Sequence, residues 1–237
     1  MASAVNTKWH SVWNKRKMLE NNGTVLEKLI AMDGFDTPLG LMLESDWRVY
    51  VEKFAKRLGI TSNDSLFEVG CGSGAFLYPF YEVGQKVGGI DFSLELINMA
   101  KTVMANTTNS FQAIEAAAIS VLPQVDVIIA NHVIHYFPDL EYSKNVFDLM
   151  LNKARKNLSI SGIPDALNKE ESEVFRKGML SQDEYEKKYD GLPILYYERN
   201  WFEMLAKKHG FNCYFYDHEM PGFAQNKFRF DCIMQRK

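Results

Sequence analysis

The chain has 237 residues, of which 46% are hydrophobic and 24% charged, with a formal net charge of −3. This is the composition of a globular chain long enough to bury a sizeable core, and it carries no global pull toward nucleic acid or anionic lipid. Three widely spaced cysteines, Cys71, Cys213 and Cys232, argue against a disulfide framework or a zinc site and for a reducing, cytoplasmic setting. No apolar run reaches the roughly 18–20 residues needed to cross a bilayer, and the first ten residues lack the apolar core of a secretory signal.

Residues 1–60 read as helical. Trp9, Val12 and Trp13, then Leu26, Leu29 and Ile30, recur at helical spacing, and the basic segment Lys8–Lys17 is expected to fold onto the rest as an amphipathic helix. Gly34–Gly40 is a break rich in turn formers. Trp47, Tyr50, Val51, Phe54 and Leu58 mark one face of a further helix that Gly59 stops. The texture then changes. Ser65–Val69 is a strand ending in Gly70-Cys71-Gly72-Ser73-Gly74, and Ala75–Val83 is assigned to a helix. A second strand, Lys86–Ile90, closes at Asp91. Ser93 is placed to cap a helix running to about Met104, and Ser110–Ile114 is a weaker strand. Val125–Ala130 is apolar throughout, as a parallel strand covered on both faces should be. A helix from about Leu140 to Asn157 and a strand at Ser159–Ile163 follow. Residues 168–191 are highly charged and read as one or two exposed helices. Asn200–His209 is a helix closed by Gly210. Phe211–Tyr216 and Phe228–Met234, joined through Pro221–Ala224, read as an antiparallel pair. The alternation of strands and helices predicts parallel βαβ units with right-handed crossovers.

The strand-to-helix turn at Glu68–Gly74 should be the floor of a ligand site, because ligands bind beyond the carboxyl ends of strands in open α/β sheets. Gly70-x-Gly72-x-x-Ala75 also satisfies the dinucleotide fingerprint. Glu68 separates the two readings: a pyrophosphate prefers amides with no negative charge nearby, whereas a cationic ligand suits an acid two residues before the first glycine. Asp91 closes the second strand, where an ionised carboxylate can accept both ribose hydroxyl hydrogens.

Glu68-Val69-Gly70-Cys71-Gly72-Ser73-Gly74 resembles the first motif of class I S-adenosylmethionine-dependent methyltransferases. The resemblance extends through Asp91, Glu115-Ala116, and Asp126–Asp139 with its His-Tyr-Phe-Pro segment, which is similar to that of methyltransferases acting on small, natural-product-type molecules. The Asn/Asp-Pro-Pro-Tyr motif of nucleic-acid amino-methyltransferases is absent. The resemblance implies a doubly wound, mostly parallel seven-stranded α/β sheet with a carboxyl-terminal antiparallel hairpin. It also implies one domain spanning 1–237, with a helical lid over 1–60, a core over 61–237 and a helical insertion near 166–195. It assigns the cofactor S-adenosylmethionine to Glu68, Gly70, Cys71, Gly72, Gly74, Asp91, Phe92, Glu115, Ala116 and Asn131.

An oxygen acceptor must lose a proton, and histidine is suited to take it. His132, directly after the fourth strand, and His135, three residues on, are the candidate bases. Trp13, Tyr136, Tyr196, Tyr197 and His218 are candidate walls of the acceptor pocket. The expected partner is a small molecule, with neither nucleic acid nor membrane. N- or C-methylation, a nicotinamide-dependent oxidoreductase and a non-catalytic cofactor-binding protein remain alternatives to O-methylation.

Overall fold

The computed structural model describes residues 7–16, 22–37, 40–105, 110–179 and 192–237. Residues 1–6, Lys17, the Pro38-Leu39 part of the predicted break and residues 180–191 of the charged stretch lie outside the described residues. At the amino-terminal side are helices α1 (Thr7–Trp13) and α2 (Val25–Met32), a minimal hairpin of β1 (Asp36–Thr37) and β2 (Gly40–Leu41), and helix α3 (Glu44–Leu58). Local chemistry accounts for the helix ends. Thr24 and Glu27 form a reciprocal capping box at the start of α2, which satisfies two orphan amides. Gly59 ends α3 with φ 62°, a conformation that L side chains resist. The predicted stripe Trp47, Tyr50, Val51, Phe54 and Leu58 is the buried face of α3.

The next elements are β3 (Ser65–Val69), α4 (Tyr78–Glu82), β4 (Lys86–Asp91), α5 (Leu94–Val103), β5 (Phe111–Ala113), β6 (Val125–Asn131), α6 (Leu140–Lys153) and β7 (Ala154–Pro164). Then come α7 (Lys169–Gly178), α8 (Arg199–Lys208), β8 (Phe211–Asp217) and β9 (Arg229–Arg236). Among the described residues, seven strands form one sheet in the order β5-β4-β3-β6-β7-β9-β8. The first five are parallel, and β9 runs antiparallel to both β7 and β8. The chain builds outward from β3 through β4 to β5 and then crosses back to β6, so the switch point lies between β3 and β6, where a ligand crevice belongs. Strand β6 shows why it reads as continuously apolar. Val127 and Ile129 enter the core beneath α2, α3 and α5, while Ile128 and Ala130 enter the core beneath α6 and α8.

Three boundaries differ from the sequence reading. The helix expected over Ala75–Val83 is regular only from Tyr78 to Glu82, because residues 75–77 complete a turn in which Leu77 and Tyr78 amides both bond the Gly74 carbonyl. The helix begun at Leu140 stops at Lys153 rather than near Asn157. The Lys153 ammonium is tied down by the carbonyls of Ser120 and Pro123, and Ala154 already pairs with Val125. Strand β7 therefore starts well before Ser159. It also carries a register irregularity between Ile160 and Ile163, with Gly162 at φ 70°.

Candidate functional site

The site is built on the carboxyl ends of β3, β4 and β6. Gly70 and Cys71 turn the chain away from β3, and both amides bond the carbonyl of Ile90 at 2.7 and 2.9 Å. Gly70 has φ 73°, and a Cβ there would lie 2.7 Å from the Cβ of Val133 and overlap its methyls. Only glycine fits both constraints. Asp91 braces the loop: one carboxylate oxygen accepts from the Gly72 amide at 3.1 Å and the other from Ser93 at 2.8 Å. Asp33, at the end of α2, accepts from the Ser73 and Ala75 amides at 2.7 and 3.1 Å.

Glu68 completes an acidic trio. It is 2% exposed, and its Oε2 has no hydrogen-bond partner. Burial pushes its carboxyl well above the usual range, and Asp33 and Asp91 add to the effect. Burial also raises Asp33 to about 7 and Asp91 to about 6, against the pull of the amides they accept from. Among the described residues no cation pairs with any of the three. Three carboxylates crowded together and facing a cavity make a poor apo arrangement and a good receptor for positive charge.

That cavity has a volume of about 210 Å³ and is lined by all three acids, Gly70, Cys71, Gly72, Phe92, Asn131, His132, His135 and Tyr136. A smaller neighbouring cavity of about 60 Å³ is lined by Phe92, Ile114, Glu115, Ala116, Phe137 and Tyr142. Helix α1 roofs both. Trp9 donates its indole N–H to the Pro193 carbonyl at 3.1 Å and packs on Tyr136, with ring centroids 4.4 Å apart. His10 stacks on Phe92 with centroids 3.9 Å apart and lies 3.3 Å from Glu115 Oε1. Trp13 meets the edge of Tyr136, and its own indole nitrogen is buried without a partner.

A polar chain crosses the sheet end at β6, β7 and β9. His132, at φ 53°, places its Nε2 3.0 Å from His218 Nε2. His218 Nδ1 lies 2.7 Å from Asp231 Oδ1. The same oxygen accepts from Ser161 Oγ at 2.9 Å and the Gly162 amide at 3.0 Å, while Arg57 reaches Oδ2 at 3.2 Å. Despite burial, these partners hold the Asp231 carboxyl below its ordinary value, with the His218 hydrogen bond foremost among them. An ionised Asp231 fixes the proton of His218 on Nδ1, so His218 Nε2 accepts from His132 Nε2–H and leaves His132 Nδ1 as the basic nitrogen. Gly162 makes room for this ring: a Cβ there would lie 2.6 Å from His132 Cε1 and Nε2. Tyr50 extends the chain to Asn131, with its hydroxyl 2.8 Å from Asn131 Oδ1 and 2.7 Å from Ser161 Oγ. Burial, then His218, Arg229 and His135, push the His132 imidazole well below 6.5, so it stands neutral.

The remaining predicted residues are placed as follows. His135 lines the larger cavity, but it sits in a short 3-10 turn with Nδ1 3.4 Å from Arg229 Nη1. Burial, Arg229 and Arg176 drive its pKa well down, as burial does for His132, but among the described residues His135 has no carboxylate-backed partner such as His218 and Asp231 give His132. Gly74 does not line either cavity; its α-carbon faces Met104. Tyr197 is 1% exposed and spans to the Ile134 carbonyl and Ser143 Oγ at 2.8 Å each, so it is a core residue rather than a pocket wall. Tyr196 also stands outside both cavities, with its hydroxyl 3.3 Å from Ser172 Oγ. Sequence reasoning passed over Asp33, Tyr50, Ser161, Asp231, Arg176 and Arg229. Asp231, the one acid of β9 and flanked by Phe230 and Cys232, was the one legible signal among them.

A family model described as a methyltransferase domain matches residues 67–163. No curated protein matches the sequence. Among solved structures, magnesium protoporphyrin IX methyltransferase from Synechocystis PCC 6803 with bound S-adenosylmethionine is similar over 100% of this chain and 99% of that one, at 15% identity and a TM-score of 0.60. The N-methyltransferase NodS from Bradyrhizobium japonicum WM9 is similar over 81% of this chain and 97% of its own, at 14% identity and a TM-score of 0.55. DesVI of Streptomyces venezuelae is similar over 82% and 93%, at 10% identity and a TM-score of 0.60. At such identities the likeness is one of fold.

Proposed function

We propose that this chain, which carries a methyltransferase domain over residues 67–163, acts as one catalytic unit that binds S-adenosylmethionine and passes its methyl group to a hydroxyl of a small acceptor. The observation that carries the reading is the orphan carboxylate oxygen of Glu68, buried beside Asp33 and Asp91 at the glycine turn with no cation among the described residues to neutralise it. The ammonium and sulfonium of the cofactor would supply that charge. A dinucleotide would bring a pyrophosphate to the same place and meet repulsion. In this reading Gly70, Cys71 and Gly72 would floor the methionine portion, Asp91 would accept from the ribose, and Phe92, Glu115 and Ala116 would frame the base.

The sulfonium methyl is already activated, so much of the catalysis is alignment of acceptor oxygen and methyl carbon. His132 Nδ1 takes the hydroxyl proton as the oxygen attacks. His218 and Asp231 fix the tautomer and offset the developing imidazolium. The similar structures include a porphyrin methyltransferase, an N-methyltransferase and a small RNA methyltransferase, so the choice of a small acceptor rests on the cavity of about 210 Å³ and its aromatic lining. Calorimetric titration with S-adenosylhomocysteine and, separately, with NAD tests the cofactor: binding of the first alone is expected, and its failure removes the reading. His132→Ala should lower turnover far more than it lowers S-adenosylhomocysteine affinity. Equal turnover in the variant would remove the histidine from the mechanism.

A further inference from the structure

The larger cavity is acidic at the glycine turn and cationic on the other side of β6. Arg176, from α7, and Arg229, the first residue of β9, both line it. They are 6% and 8% exposed, and among the described residues no carboxylate pairs with either. Arg229 donates Nη1–H to the Gly162 carbonyl at 2.6 Å and lies across Phe223. Arg176 Nε is buried with no hydrogen-bond partner at all. Burial and its fellow arginine lower Arg229 to about 10, against the stabilising influence of Tyr136 and Tyr196. Buried arginine is ordinarily matched to an acid. Two of them, unmatched and repelling each other in one cavity wall, are the mirror image of the unmatched carboxylates opposite.

We propose that the methyl acceptor carries an oxyanion, a carboxylate or a phosphate, and that Arg176 and Arg229 hold it. This deepens the methyltransferase reading and rests on it for the word acceptor. A planar guanidinium presents paired donors that match such a group. Phe223, beneath Arg229, and Tyr136 and Trp13, which also line the cavity, give the apolar body of the same molecule a surface to lie on. His132 lies between the two charged ends, since it follows β6 and contacts Phe223 at a centroid distance of 4.9 Å. The acceptor class is therefore a compact hydroxylated acid with an aromatic or otherwise apolar frame.

The test is thermal unfolding of the ligand-free protein at constant ionic strength, with benzoate, phenyl phosphate and benzamide as probes. These fragments are small enough that acceptor shape does not limit them. Benzoate or phenyl phosphate should raise the melting temperature by about 3 °C or more near saturation, and benzamide by less than about 1 °C. Whichever anion gives the larger shift identifies the group. Arg176→Gln should abolish most of the shift, Arg176→Lys should keep part of it, and the ligand-free Gln variant should melt higher than the parent because an unmatched buried charge is gone. Equal shifts from benzamide and the anions, no shift from either anion, or a full anion shift in Arg176→Gln would overturn the proposal. So would a roughly tenfold loss of S-adenosylhomocysteine affinity in Arg176→Gln, which would mean that the arginine holds the cofactor's own carboxylate. Failure of the unmutated protein to bind S-adenosylhomocysteine would refute the cofactor reading and leave the anion measurement standing by itself.

Discussion

Asp91→Asn should remove a pH-dependent penalty on stability and make the protein a poorer binder at once. Asp91 is 8% exposed, and burial raises its carboxyl from 3.8 to about 6. An acid whose pKa is raised on folding holds more protons folded than unfolded. Its stability contribution is then complete below the unfolded pKa and is lost as pH climbs to the folded one. At about 1.36 kcal/mol for each tenfold change in proton affinity, the step from 3.8 to about 6 amounts to about 3 kcal/mol above neutrality. Asparagine has no charge to lose, but it offers one acceptor oxygen where Asp91 offers two: it accepts from either the Gly72 or the Ser93 amide and turns its own amide hydrogens toward the other. That mismatch costs about 1–3 kcal/mol at every pH, while the ionisation penalty it escapes grows from near zero at about pH 4 to about 3 kcal/mol above about pH 6. For a chain of this size the melting temperature of the variant relative to the parent should therefore rise by roughly 6–12 °C across that range, starting from a deficit at acid pH. The same change removes a charged acceptor from the ribose position, and charge-assisted hydrogen bonds of about 1.5–3 kcal/mol translate to about 10–100-fold weaker S-adenosylhomocysteine binding. Scanning calorimetry across pH 4.5–8 and calorimetric titration measure the two halves. A melting-temperature difference between variant and parent that is flat with pH would refute the raised pKa. Unchanged affinity would refute the ribose assignment.

Further outcomes follow from the same geometry. Asp231→Asn keeps an oxygen for His218, Ser161 and Gly162 but drops the charge; turnover should fall by up to about 10-fold with S-adenosylhomocysteine affinity intact, as steady-state kinetics beside calorimetry would read. Gly70→Ala must strain a backbone at φ 73° and overlap Val133, so it should lose at least about 1–2 kcal/mol of stability in urea titration together with cofactor binding. Tyr50→Phe leaves Asn131 Oδ1 without its donor in a buried setting, at a cost of about 1–3 kcal/mol in the same titration.

The sequence by itself determined the frame and the acidic glycine turn of the candidate site. Apolar periodicity located α3, the both-sided burial of β6 and the closing antiparallel pair, because these elements bury local, contiguous residues whose spacing repeats with the backbone. The glycine turn, Glu68 and Asp91 were legible for a similar reason: a strand-to-helix turn fixes the relation of neighbours, and the βαβ unit fixes the distance to the next strand end. The extent of α4 and the end of α6 were not legible. There a turn bonded to the Gly74 carbonyl and the pairing of Ala154 with Val125 overrode local helix preference.

Only the tertiary structure decided what faces the glycine turn. His132 and His135 are alike in sequence, three residues apart in one motif, yet one ring meets His218 backed by Asp231 and the other meets the Arg229 guanidinium. Asp231 comes from the antiparallel strand β9 and His218 from just beyond β8, and the irregularity at Gly162 in β7 opens the space into which His132 turns. Tyr197 looked like a pocket wall and became core because its hydroxyl finds Ser143 and the Ile134 carbonyl. Such distinctions depend on which strand ends meet across the sheet, and no spacing along a single chain encodes them.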